Sequence, residues 1–94
     1  MNISKCQAKE LAKQFKINLN IIPFKLWLYG LNVELEHGSK FGNITNITND
    51  NPEMTARIVI AHLIEFPDYY KRLKKLESKA DEYWEFKEKP NIFI

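Results

Sequence analysis

Apolar residues recur at three- and four-residue intervals along most of this chain, interrupted by one alternating segment and one long polar stretch. Ala8, Leu11, Ala12 and Phe15 form the first stripe, and Ser4 with Gln7 supplies a capping-box pattern in front of it, predicting a helix over 4–16. Polarity then alternates over 16–22, which predicts a short extended connector. Pro23 suits the first turn of a second helix over 23–37, with Gly38 as its left-handed C-terminal cap. Segment 39–51 is a polar loop whose Asn, Thr and Asp side chains can satisfy nearby backbone donors. Asn51, Pro52 and Glu53 read as N-cap, first residue and first-turn acid of a third helix over 52–66. That helix is apolar nearly all round, which predicts cover on several sides. Pro67 breaks the ladder, and a fourth helix is predicted over 68–86, with Tyr69 or Tyr70, Leu73, Leu76, Ala80, Tyr83 and Trp84 on its buried face. The tail, 87–94, closes on Asn91-Ile92-Phe93-Ile94 and is expected to dock on the bundle or in a partner.

These elements predict an all-α fold: one small four-helix bundle-like domain over 1–94, its second and third helices forming a central antiparallel pair. No uncharged apolar run approaches the roughly 20 residues that cross a bilayer, so no membrane contact is expected. The first fifteen residues lack the apolar core of a signal peptide, and Cys6 is the only cysteine. Both features suit an intracellular protein that is not secreted. Cys6, beside Ala8 and Leu11, is expected to be a small core residue and not a nucleophile.

A net charge of +2 is far from the strongly basic balance of a dedicated nucleic-acid binder. The charge is nonetheless clustered. Lys5, Lys9, Lys13 and Lys16 share one side of the first helix, and Lys71, Arg72, Lys74, Lys75 and Lys79 crowd the start of the last. Two solvated helix faces explain them most simply; phosphate contacts with nucleic acid or chromatin are the alternative. Asp81, Glu82, Glu85 and Glu88 then reverse the sign. The glycines form neither a P-loop nor a dinucleotide fingerprint.

The candidate chemistry lies in two mirror-image motifs, Glu34-Leu35-Glu36-His37 and His62-Leu63-Ile64-Glu65. Residues three apart share a helix face, so each motif sets a carboxylate beside an imidazole. Glu34 shares a face with Trp27 and Leu31 and is expected to point inward, whereas Glu36 is rotated away into solvent. If the helices pack antiparallel, Glu34, His37, His62 and Glu65 can converge. One divalent ion, iron, manganese or zinc, would suit two imidazoles and two carboxylates. A buried hydrogen-bond network fixing helix register accounts for the four residues more simply than a metal, and scattered surface groups are the third reading. His37 can also bond the loop near 45–49.

Three blocks, Gly30-Leu31-Asn32-Val33-Glu34-Leu35-Glu36-His37-Gly38, Thr45-Asn46-Ile47-Thr48-Asn49-Asp50 and Ala61-His62-Leu63-Ile64-Glu65-Phe66-Pro67-Asp68-Tyr69-Tyr70, together resemble a family of small uncharacterised domains of bacteria, phages and large DNA viruses. The resemblance covers about 24–77, outside the basic first helix and the tail. It implies a compact helical domain, no assigned reaction and, with the Lys, Asn and Ile bias, a giant-virus setting: host cytoplasm or nucleus, or the virion. The expected function is non-enzymatic, a small accessory protein contacting a protein partner or a second copy of itself. A metal-binding bundle, and after it nucleic-acid association, are the alternatives.

Overall fold

The computed structural model describes residues 2–93. It is all-α, with helices α1 (Lys5–Gln14), α2 (Phe24–Glu34), α3 (Pro52–Glu65) and α4 (Tyr69–Trp84). Short 3₁₀ turns at Leu35–His37 and Ser39–Phe41 continue the chain beyond α2.

Each boundary has a local cause. The Ser4 hydroxyl accepts from the Gln7 N–H at 3.1 Å while the Gln7 side chain accepts from the Ser4 N–H at 3.0 Å, closing the capping box of α1. Its other end is a Schellman motif, with Ile17 N–H donating to Ala12 O (2.8 Å) and Lys16 N–H to Lys13 O (3.2 Å). The left-handed position of that motif is Lys16, at φ 56°. Asn51 caps α3, its side chain accepting from the Met54 N–H at 3.0 Å, with Pro52 next in line.

α2 touches all three other helices, and its most extensive contact is with α3. Trp27 and Leu31 are fully buried at the centre, surrounded by Ala8, Ala56, Val59 and Tyr70. The Trp27 indole N–H donates to the Ala8 carbonyl at 2.9 Å, which ties α1 to α2. Asn32 adds a second tie. It accepts from the Ile3 N–H (2.8 Å) and donates to the Ile3 carbonyl (3.1 Å), holding the buried Ile3 against the domain.

Several expectations are corrected here. Gly38 is not left-handed, at φ −88°. Its lack of a side chain serves a close approach: a Cβ there would run into Asp50 Oδ1. Cys6 is exposed, because its position on α1 lies outside the Ala8, Leu11, Ala12 stripe. α3 is buried along one side only, that of Thr55, Ala56, Val59 and Leu63, and Ile64 is 79% exposed. Among the described residues only Tyr70 is buried on α4, and Leu76, Ala80 and Tyr83 are exposed because no other described element covers them. Ile92 and Phe93 are exposed and not docked on the bundle, and Ile94 lies outside the described residues.

Candidate functional site

Glu34 is the last residue of α2 and, among the described residues, the one charged side chain that is buried, with 4% of its surface accessible. Its position follows from periodicity: it continues the face of Trp27 and Leu31. Its Oε1 accepts a hydrogen bond from the Tyr70 hydroxyl at 3.2 Å. The same oxygen lies 4.0 Å from His62 Nε2, and Oε2 lies 3.9 Å from His37 Nε2. A carboxylate is thus set between two imidazoles, with one phenol as its hydrogen-bond donor.

The aromatic surroundings come from the start of α4. The His62 ring lies flat on Tyr69, with centroids 4.2 Å apart and an 8° interplanar angle. It meets Tyr70 edge-on at 6.3 Å. Tyr70 also packs edge-on to Tyr69 at 5.0 Å and to Tyr29 at 6.5 Å. The ring fits because residue 30 is glycine: a Cβ there would stand 2.8 Å from Tyr70 Cε2. Burial, and next the Glu34 charge, push the Tyr70 hydroxyl well above the ordinary tyrosine range. Tyr70 is therefore held as a neutral donor.

Of the four residues suggested for a metal, Glu34, His37 and His62 come together and Glu65 does not. The Glu65 side chain is exposed and makes no hydrogen bond or ion pair among the described residues. Glu65 lies on the turn after the buried Leu63, at the solvent side of α3. Zinc needs its ligand atoms at about 2.0–2.2 Å from one point. Among the described residues, no group of three or more His, Cys, Asp or Glu side chains is arranged to hold a metal ion. The geometry supplies one buried hydrogen bond, Tyr70 to Glu34, joining α2 and α4, with the accessible imidazoles of His37 and His62 near 4 Å from the carboxylate.

The loop carries a second cluster that the spacing of charges did not reveal. Asp50 accepts from the Ser39 hydroxyl (2.6 Å) and the Ser39 N–H (2.9 Å), and these bonds hold its pKa below the ordinary aspartate range. The His37 carbonyl accepts from the N–H groups of Ile47 (2.7 Å) and Thr48 (3.4 Å), so it is the backbone of His37 that holds the loop. A cleft of about 420 Å³ opens beside this knot, lined by Asn2, Tyr29, Asn32, Glu36, Ser39 and Lys40 among others. Glu36 and Lys40 pair across it at 3.2 Å.

The basic residues Lys5, Lys9, Lys13 and Lys16, and Lys71, Arg72, Lys74, Lys75 and Lys79, are all exposed. Some are engaged: Arg72 bonds Asp68 at 2.9 Å and lies over Phe66, and Lys74 lies over the Tyr29 ring. No helix among the described residues is long and apolar enough to cross a membrane.

Against this geometry stands the comparison with known families. A family model described as a protein of unknown function, DUF5661, matches residues 8–79. The chain belongs to the DUF5661 family. The DUF5661 match includes most of α1, so the basic first helix is not an addition outside the family region, as the narrower resemblance implied. It includes the whole Glu34, His37, His62 and Tyr70 cluster and the Ser39 to Asp50 knot. Residues 80–94, with the end of α4 and the tail, lie beyond the DUF5661 match. No curated protein and no solved structure matches significantly.

Proposed function

We propose that this chain is a non-enzymatic interaction domain and that the distal part of α4 is the surface through which it acts. One observation carries this reading: every residue over 74–83 is exposed although the segment is helical and carries Leu76 and Tyr83, 63% and 57% accessible. Isolated helices this short are marginal in water, and an uncovered apolar stripe is a feature of contact surfaces. The buried Glu34–Tyr70 hydrogen bond serves the body that presents the helix, since it fastens α4 to α2. The resemblance to domains of bacteria, phages and large DNA viruses supports a viral setting for this reading, an infected cell or a particle.

The test is a folded variant with the stripe removed. Leu76→Glu combined with Tyr83→Glu should leave the far-UV circular dichroism and the melting temperature within a few degrees of wild type, because both side chains are solvent-exposed. The expected result is loss of an association, with itself or with another protein, that the wild type shows. Identical associations for the two proteins would refute the reading.

A further inference from the structure

Two contacts bring lysines of different helices onto one face. Lys9 of α1 reaches over the Phe24 ring, its Nζ 5.9 Å from the centroid, and Lys74 of α4 reaches over the Tyr29 ring at 5.6 Å. Phe24 and Tyr29 thus mark the two flanks of α2. Each residue of a helix turns by about 100°, so Lys25 falls in the arc between them, on the side away from the buried Trp27, Leu31 and Glu34. Lys5 and Lys13 extend the α1 flank by one turn in each direction. All of these lysines are exposed, and none is in an ion pair among the described residues. The net charge of +2 conceals this segregation. Glu77, which accepts from the Tyr29 hydroxyl at 3.4 Å, edges the face, and Glu36 beyond it is paired with Lys40. Glu10 and Glu53 line a cleft between α1 and the start of α3, while Asp81, Glu82, Glu85 and Glu88 crowd the far end of α4 and the segment after it.

We propose that this face, crossing from α1 over α2 to α4, binds the phosphate backbone of a nucleic-acid duplex without reading its sequence. The surface is distinct from the apolar stripe of α4, because Leu76 lies about 200° round that helix from Lys74. Lysines free of ion pairs suit a polyphosphate, since each phosphate they neutralise releases condensed counterions. The lysines of α1 and α4 stand on either side of α2, two helix spacings or about 16–20 Å apart. That separation reaches both backbones of a duplex and exceeds the width of one strand. A single-strand site also needs open aromatic faces on which bases stack, and here the Phe24 and Tyr29 rings are half-buried beneath Lys9 and Lys74. An anionic membrane would be met best by exposed apolar side chains that insert, whereas Phe24, Leu28 and Tyr29 are all half-buried. Lysine contacts phosphate as a point charge, and no arginine stands among these residues to read a base edge bidentately.

The test is fluorescence anisotropy of a labelled, mixed-sequence DNA duplex of about 20 base pairs, titrated with the chain from about 20 to about 200 mM salt. Binding should weaken with salt at a log-log slope of about −3 to −5, the value for three to five phosphate contacts, and should be the same for a duplex of scrambled sequence. Lys9→Gln, Lys25→Gln and Lys74→Gln combined should weaken binding at low salt by about ten-fold or more and flatten the slope by about 2.7. A control variant, Lys75→Gln, Lys79→Gln and Lys87→Gln, removes the same charge elsewhere and should keep the wild-type slope. All six positions are exposed, and circular dichroism checks that both variants are folded. Absence of duplex binding at the lowest salt overturns the proposal. Equal losses in the two variants overturn it too, since net charge alone would then account for binding. Tighter binding of a single strand of the same length overturns the duplex assignment, and capture by phosphatidylserine vesicles that the duplex does not compete away would make the ligand a membrane instead.

Discussion

The Tyr70 hydroxyl donates to Glu34 Oε1 at 3.2 Å with both side chains buried, and through this bond the start of α4 is fastened to the end of α2. Tyr70→Phe keeps the ring and removes the donor, leaving a buried carboxylate with two imidazole nitrogens near 4 Å and no hydrogen bond from a side chain. An unsatisfied buried acceptor costs about 1–3 kcal/mol, and urea denaturation should show a loss in that range. In a Glu34→Leu background the same Tyr70→Phe change should cost much less, and equal costs in both backgrounds would show that the bond contributes nothing.

Gly30 leaves room for that ring. In Gly30→Ala the new methyl would lie 2.8 and 2.9 Å from Tyr70 Cε2 and Cδ2. Alanine is better than glycine inside a helix by about 1 kcal/mol, whereas overpacking a core costs about 1–3 kcal/mol. The ring is fully buried and cannot swing clear, so the variant is expected to be less stable by about 1–2 kcal/mol. Thermal unfolding checks the sign, and a stabilised variant would mean that the ring shifts freely.

Asp50 makes the loop sensitive to acid. Its folded pKa lies below the unfolded value, chiefly because the Ser39 hydroxyl and then the Ser39 N–H donate to it. The stabilisation is thus complete above the ordinary aspartate range and is lost as pH falls through the depressed value. The melting temperature of wild type should drop on acidification more than that of Asp50→Ala, which never has the bonds. Carboxyl resonances followed by NMR should show Asp50 titrating below a free aspartate.

Lys16 holds the left-handed position that ends α1, at φ 56°. Left-handed geometry costs an L-residue roughly 1–2 kcal/mol, and glycine avoids this at some cost in unfolded-chain entropy. Lys16→Gly should therefore stabilise the domain by about 0.5–1 kcal/mol, measured as a rise in melting temperature of about 2–8 °C. An unchanged or lower midpoint would show that the lysine stem contributes packing of its own.

Local chemistry determined much of this protein. The Ser4 and Gln7 box, Asn51 before Pro52, the break at Pro67 and the three-four apolar spacing act over a few residues, and they produce four helices in an all-α domain. Glu34 was legible as an inward carboxylate because it repeats the phase of Trp27 and Leu31. The tertiary structure decided which residues join it. His62 and Glu65 lie on neighbouring turns of α3, yet only His62 approaches Glu34, while the hydrogen-bond donor, Tyr70, comes from another helix and carries no signal in the spacing of Glu and His. It also decided the role of Gly38, which yields to Asp50 from across the loop instead of turning the chain left-handed. Periodicity shows that a helix face is apolar, but burial needs another element opposite that face. Tyr70 has α2 opposite it; Leu76 and Tyr83 stay exposed among the described residues.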